Sequence, residues 1–398
     1  MRNDCKQRID YRPYRPSNAQ TKQNQSQMNP RTIIFHPALA PYRVDFFNSL
    51  SEAFDAEVYF EFHDPLEQKF DQEALRQRLR FTPRYLRPGF LGIKNLRLEV
   101  LAILWRKRPE VVIVSEYNLL GLLVCLFKLL FHWKMRILTI CDDNKRMAER
   151  AGRVKRLTRY VMLHLLQGVV LADKQAYRWY QRQWPYKARY AYFPIIQPET
   201  LFRQRLAESL PTAECLAERY ALRGKQVVLY VGRLAEVKQV SLLLETIQRL
   251  PKASQSVRLL IVGDGPLREE LTKTAADGIA SGLVRFVGKQ EGLTLMAYYN
   301  LAQLFVLPSR YEPFGTVVNE ALLAGCFTLC SQVAGAACLI EPGRNGELFD
   351  PTDPDSLRQA LRKALADTPP LSAVSLKPNR MTLSYATQFK EMLAALGC

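Results

Sequence analysis

Short apolar runs recur between longer stretches in which apolar residues return every third or fourth place. In the first half the runs are RTIIF (31–35), AEVYFEF (56–62), VVIVS (111–115), RILTI (136–140) and GVVLA (168–172). Runs this short, rich in β-branched and aromatic residues, predict strands, and the segment from Tyr42 to Phe54 between two of them predicts a helix. Prolines in YFPIIQPE (192–199) interrupt the rhythm. It restarts with VVLYVG (227–232), RLLIVG (258–263), LVRFVG (283–288), LFVLPS (304–309) and FTLCS (327–331). Val240, Leu243, Leu244, Ile247 and Leu250 fall at helical spacing between the first two of these. Leu383–Leu396 predicts a last helix. Strand and helix alternating in this way make a parallel sheet with helices on both faces. The expected architecture is therefore α/β: two Rossmann-like domains, 31–195 and 196–375, facing across a cleft. A tail precedes them (1–30), and the segment 376–398 holds a helix that packs back toward the N-terminal domain. Open sheets of this kind bind ligands at the carboxyl ends of their strands.

Composition adds a charge asymmetry. The chain of 398 residues has a net charge of +18. Residues 1–210 hold 36 Lys and Arg against 20 Asp and Glu, and residues 211–398 hold 20 against 18. The basic half favours an anionic partner: a lipid surface, a phosphate-bearing acceptor or nucleic acid. Nucleic acid is not expected, because no zinc-finger spacing, RNP-type aromatic motif or basic zipper is present. Residues 64–92 hold Arg76, Arg78, Arg80, Arg84 and Arg87 beside Phe81, Tyr85 and Phe90. They read either as a clasp for an acceptor or a membrane, or as a solvated connection. Leu119–Trp133 is the most apolar stretch, but its 15 residues include Lys128. It is too short to span a bilayer and reads as a buried crossover helix or one dipping into a membrane interface. The eight cysteines form no paired framework and no C-x2-C, so neither disulfides nor structural zinc are expected. Residues 1–30 lack the apolar core of a secretory leader. The expected location is cytoplasmic, with peripheral contact at the inner face of the cell membrane.

Three motifs carry candidate chemistry. In YEPFGTVVNEALLAGC (311–326), Gly315 precedes a helix expected from Thr316 to Ala324, whose free N–H groups and dipole suit a diphosphate. Glu312 before that helix and Glu320 within it can reach different parts of one extended ligand, and a carboxylate accepts well from vicinal sugar hydroxyls. In VGRLAEVKQ (231–239), Arg233 and Lys238 follow a core strand, where two cations can take up charge on a departing diphosphate. In LLIVGDGPLREEL (259–271), Gly263 and Gly265 bracket a sharp turn, with Pro266 suited to a first helical position. The adjacent Asp142 and Asp143 lack further ligands, so no metal is assigned.

The order GRL-x3-K, VGDGP-x3-E, FVG and E-P-F-G-x4-E-A-x2-A-G resembles glycosyltransferase family 4, which has the GT-B fold. The resemblance is specific across about 225–365. HPALAPYRVDFFNSL (36–50) is similar to the first loop and helix of many members. The resemblance implies a retaining, metal-independent transfer from a nucleotide-diphosphate sugar, with no other cofactor. It implies that Arg233 and Lys238 bind the donor diphosphate, Glu320 the ribose and Glu312 the donor sugar. The N–H groups near Phe314, Gly315 and Thr316 would face the sugar and phosphates, and Val287 and Gly288 would lie near the base. Three positions depart from the pattern. The first loop has no glycine, and His36 or Arg43 stands there. The His that many members carry in the N-terminal domain is missing from ILTICDDNKR (137–146), where Asp142, Asp143 or Cys141 stands instead. Gln239 replaces the usual Gly after Lys238. The implied acceptor is a glycan or lipid-linked molecule of cell-surface polysaccharide or glycolipid synthesis. The alternatives are a nucleotide-sugar epimerase of the same layout and an inactive member that only binds nucleotide-sugar.

Overall fold

A strand covered by helices on both faces must be apolar throughout, and the central strands here are. In the computed structural model, which describes residues 32–63, 70–89, 96–185, 188–250 and 256–398, Val111–Ser115 and Leu304–Leu307 are buried at every position. The first sheet contains β1 (Thr32–His36), β2 (Ala56–Phe60), β3 (Arg84–Tyr85), β4 (Val111–Ser115), β5 (Arg136–Cys141), β6 (Gly168–Leu171) and β7 (Arg189–Tyr192), in the order β3-β2-β1-β4-β5-β6-β7. The second contains β8 (Gln226–Val231), β9 (Val257–Val262), β10 (Val284–Gly288), β11 (Leu304–Leu307), β12 (Phe327–Ser331) and β13 (Gly346–Phe349), in the order β10-β9-β8-β11-β12-β13. All neighbouring strands are parallel, with registers such as Thr32↔Val111 and Leu304↔Val228. Each sheet reverses its strand order once, at β1/β4 and at β8/β11, and these two crevices are where ligands bind in such sheets.

Ten strands follow the apolar runs closely. Three do not: β3 is two residues long, β7 is the polar-looking RYAY, and β13 is the edge strand GELF. The YFPIIQPE break thus begins on the end of a seventh strand. Helices form at Val44–Phe54 and Thr316–Leu323.

The last helix, Tyr385–Leu396, leaves the second domain and packs on β7 and β6. The Tyr385 hydroxyl donates to Ser49 Oγ at 2.9 Å, and Arg136 and Arg189 donate to the Leu396 carbonyl. Phe193, at the domain connection, stacks on Phe46 with ring centroids 4.9 Å apart and meets Tyr385 edge-on. One apolar cluster therefore runs from the Val44–Phe54 helix through the connection into the second domain.

Several arginines of the 64–92 segment have partners within the first domain. Arg78 and Arg80 dock on the Val44–Phe54 helix: Asn48 donates to the Arg78 carbonyl, the Arg80 N–H donates to Asn48, and Arg80 pairs with Glu52 at 2.8 Å. Arg84 pairs with Glu57 and Arg87 with Glu99. Phe90 and the 1–30 tail lie outside the described residues. Seven cysteines are described and all are free thiols; Cys326 and Cys330 are buried.

Candidate active site

The strongest grouping sits at the β8/β11 crevice. Lys238, in a short 3-10 turn after β8, forms an ion pair with Glu312, in the loop after β11. Glu312 is 8% exposed, and its other near donor is Ser309 Oγ at 3.5 Å. The Arg310 N–H donates to the Val237 carbonyl at 2.9 Å, which fixes the two loops against each other. Gly315 then starts the Thr316–Leu323 helix at φ +94°, where no side chain caps the first turn. A Cβ at Gly315 would stand 2.8 Å from Leu307 Cδ2 and 3.1 Å from Glu312 Cγ. Glycine is required here by both conformation and space. The uncapped N–H groups thus open beside the Lys238–Glu312 pair and form an anion-binding end. Phe314 is buried beneath, with its carbonyl accepting from the Ala336 N–H at 2.7 Å, and Thr316 is half-buried.

Arg233 is exposed at the end of β8. The turn after it packs backbone to backbone on the 263–267 turn: Leu234 N–H donates to the Asp264 carbonyl at 2.9 Å. A Cβ on Gly263 would stand 1.8 Å from the Gly232 carbonyl oxygen, so no side chain fits between these turns. The Gly263 N–H donates to the Gly288 carbonyl, which links β10 and its end residues Val287 and Gly288 to the same floor. Gln239, where the resemblance has Gly, keeps the left-handed backbone at φ +48°. Its side-chain amide lies within 3.0–3.3 Å of the Pro308 and Pro351 carbonyls and the Arg310 guanidinium. That orientation, amide nitrogen toward the carbonyls, gives the side chain four contacts that offset the backbone cost of about 1–2 kcal/mol.

Glu320 lies one turn inside the helix and is already held. One oxygen accepts from the Tyr299 hydroxyl at 2.8 Å and the other from Gln197 Nε2 at 3.0 Å. Burial raises its pKa, while the Tyr299 and Gln197 hydrogen bonds and the Arg78 charge favour the ionised form. Each oxygen retains a lone pair for a ligand hydroxyl. Tyr299 and Gln197 were not singled out by sequence reasoning, and Arg78 was read only as part of the basic 64–92 segment; the fold brings their influence to Glu320.

The acceptor-side candidates gather at the β1/β4 crevice and the end of β5. His36 is packed edge-on to Phe47 and its Nδ1 lies 3.0 Å from the Ala38 carbonyl oxygen. Burial, then the Arg43 charge, lower its pKa to about 4, so it is neutral at pH 7. Arg43, 3% exposed, pairs with Asp142 and lies over the Phe46 ring. Asp143 is buried and pairs instead with Lys155 at 2.8 Å. Lys155 also reaches Glu116, 3.2 Å away, and the Asp142 N–H donates to Glu116 Oε1 at 2.8 Å.

Glu116 escaped the sequence reading, although it follows the core strand VVIVS directly. It adopts φ +61°, uncommon for a non-glycine residue. Burial, then the neighbouring Asp143, raise its pKa to about 7. Glu116, Cys141 and Asp143 could together hold a metal ion, with ligand atoms within 4.8 Å of one another. The Lys155 ammonium already supplies countercharge there. The pKa of Tyr42 is raised by burial and by both Asp142 and Glu312. Carboxylates of both domains therefore act on this one residue. An interdomain cavity of about 460 Å³ lies here, lined by Asp143, Arg146, Met147, Arg150, Lys155, Arg310 and Tyr311. A larger cavity of about 640 Å³ lies away from all these residues, beside β13 and the 377–382 segment.

Comparison with known proteins bears on the family and the fold. Residues 217–381 match the family described as glycosyl transferases group 1. This segment is a group 1 glycosyl transferase domain. The chain is similar to the alpha-D-kanosaminyltransferase of Streptomyces kanamyceticus (32% identity over 152 residues, 38% of this chain). It is also similar to the lipopolysaccharide core biosynthesis glycosyltransferase LpsE of Rhizobium meliloti (33% over 141 residues, 35% of this chain). The matches span only 39% and 40% of those two relatives. Over the whole fold it is similar to Anabaena Alr3699/HepE, solved in complex with UDP, with a TM-score of 0.65 at 15% identity, covering 92% of this chain and 97% of that one. The chain therefore has the two-domain GT-B fold, with the group 1 domain as its second half.

Proposed function

We propose that this chain is a retaining glycosyltransferase that moves a sugar from a nucleotide-diphosphate donor to a glycan or lipid-linked acceptor in cell-surface polysaccharide or glycolipid synthesis. The observation that carries the reading is the anion-binding end at Gly315 beside the Lys238–Glu312 pair, at the strand-order reversal of a group 1 domain. Arg233, Lys238 and the free N–H groups stabilise charge on the departing diphosphate; one such donor contributes about 3–4 kcal/mol of barrier lowering. Glu320 holds the ribose, Glu312 the donor sugar, and Val287 and Gly288 border the base. The acceptor hydroxyl attacks from the face the phosphate leaves, and a departing phosphate oxygen takes its proton. No metal enters this scheme, because side-chain cations and the helix end meet the leaving-group charge. Closure of the cleft excludes water.

Residues 31–195 act as the acceptor domain and 196–375 as the donor domain. The protein works in the cytoplasm, with peripheral contact at the inner face of the membrane; among the described residues, no helix is long and apolar enough to cross a bilayer. UDP-sugars are the first donors to test, since the solved structure of similar fold holds UDP.

The test is a thermal-shift screen with UDP-, GDP- and ADP-sugars, followed by product analysis. A donor that binds only the folded chain at a hundredfold over its Kd raises stability by about 2.7 kcal/mol. Isomerised sugar from donor alone would mean an epimerase. Donor binding without transfer to any extract acceptor would mean an inactive member. No shift with any nucleotide-sugar sinks the reading.

A further inference from the structure

Three helices, Glu99–Lys107, Leu119–Phe131 and Arg153–Leu163, lie side by side on one face of the first sheet. Their inner sides share one apolar cluster with β1, β4 and β5. The Leu119–Phe131 and Arg153–Leu163 helices approach so closely that a Cβ on Gly121 would stand 2.5 Å from Met162 Cε. Their outer sides are not those of a solvated face. Of the seventeen exposed large apolar side chains among the described residues, eleven lie between Trp105 and Val161. Leu129, Leu130 and Phe131 are 52–62% exposed, Trp133 is 74% exposed, and Val154 and Leu157 are 77% and 64% exposed.

The polarity of the middle helix is inverted. Lys128, its only charged residue, turns inward and donates to Gln167 Oε1 at 2.9 Å and to the Leu165 carbonyl at 3.3 Å. Leu126, Leu129, Leu130 and Phe131 turn outward, while Leu120 stays in the core. A patch of this extent on a soluble surface marks an interaction site.

We propose that this face docks on an anionic lipid bilayer, which gives the membrane contact of the proposed function a definite surface and a definite partner. Charge complementarity selects that partner. Arg106, Arg108, Lys134, Arg153 and Arg156 rim the patch, all exposed. None of them has an ion pair among the described residues. No Asp or Glu occurs in 117–141 or 150–172. Arg108 lies over the Trp105 ring at 4.4 Å and Lys134 over Trp133 at 5.7 Å. Tryptophan beside a cation suits the headgroup region, where the ring is half-immersed and the charge meets lipid phosphate. A second copy fits worse, because a two-fold contact would bring two basic rims together. The Arg153–Leu163 helix also carries Lys155, which lines the interdomain cavity. Docking through this face therefore holds that cavity next to the lipid headgroups, within reach of a lipid-linked acceptor.

The test is flotation of the full chain with vesicles of phosphatidylcholine, with and without phosphatidylglycerol, at low and high salt. Binding is expected only with the anionic vesicles, weakening about tenfold or more as salt screens the rim. Leu129→Ser combined with Trp133→Ser, and separately Leu157→Glu, should reduce binding at least about tenfold. These exposed positions leave the unfolding temperature and any nucleotide-sugar thermal shift unchanged, so failure here is distinguishable from failure of the donor reading. No flotation at low salt, or wild-type binding by both variants, overturns the proposal. So does a concentration-dependent dimer that these substitutions dissolve.

Discussion

Lys238→Ala is the most informative single change, because that lysine has one job in the fold and a separable one in the proposed reaction. In the fold it neutralises Glu312. The Lys238 side chain is 21% exposed and the Glu312 side chain 11%, so both charges are largely out of water. At contact and an effective dielectric of about 20, the attraction is about 5 kcal/mol before desolvation is subtracted. Removing one partner of a buried pair costs about 3–5 kcal/mol, and partial exposure lowers this to about 2–3. Ser309, at 3.5 Å, is a poor substitute partner. In the proposed reaction Lys238 faces the leaving diphosphate, and its loss should cut kcat by about 10² to 10³. The double variant Lys238→Ala/Glu312→Gln separates the two jobs. Removing the stranded charge should restore about 1–2 kcal/mol of stability without restoring turnover. Urea unfolding and transfer at saturating donor read the two effects. Turnover within about threefold of wild type in Lys238→Ala, or stability unaffected by the loss of either partner, would refute the reasoning.

Other expected outcomes follow from the same site. Gly315→Ala should destabilise the chain by about 2–3 kcal/mol, because the new methyl meets Leu307 at a left-handed residue, and should abolish the donor thermal shift; unchanged stability would contradict the geometry. Glu320→Ala leaves the buried Tyr299 hydroxyl without its acceptor, so it should cost about 1–3 kcal/mol as well as donor affinity, with Glu320→Gln milder in stability. The raised pKa of Glu116 means the folded chain resists its ionisation. Stability from this group is intact below pH 4.5 and declines as pH rises toward about 7, by up to about 3 kcal/mol with the Lys155 attraction already included. Glu116→Gln should flatten that decline and stabilise the chain at pH 8 relative to wild type, read as urea midpoints at pH 5 and 8; a less stable variant at pH 8 would reverse the assignment. Gln239→Gly removes backbone strain but also four amide contacts, so its urea midpoint should fall, and a rise would show that strain dominates.

The two-sheet fold was legible because parallel strands covered on both faces need uninterrupted apolar runs, and VVIVS and LFVLPS are such runs. The strands β3, β7 and β13 were not, since an edge or terminal strand can carry Arg84, Arg189 or Glu347 without penalty. The glycine and charge motifs of the second domain marked its crevice because each sits directly after a core strand. The first domain gave less away. His36 looked available but is enclosed by Phe47, and Asp142 and Asp143 look alike in sequence yet pair with different cations from different elements. Glu116 meets Lys155 here, and Gln197 meets Tyr299 about Glu320 in the second domain, each pair from separated segments that no local spacing could have joined. The inward turn of Lys128 was equally hidden, because its partner Gln167 lies on a different segment.

The chain passes between its two lobes twice, once near Phe193 and again on the way to Tyr385. A pair of bodies joined by a single strand can twist freely; joined at two points, they are left mainly with a swing about the line through both. Phe193, Tyr385 and Phe389 bring those two crossings into one aromatic knot. Trimming the final helix would therefore loosen more than a terminus: it would remove one of the two pivots that aim one lobe at the other.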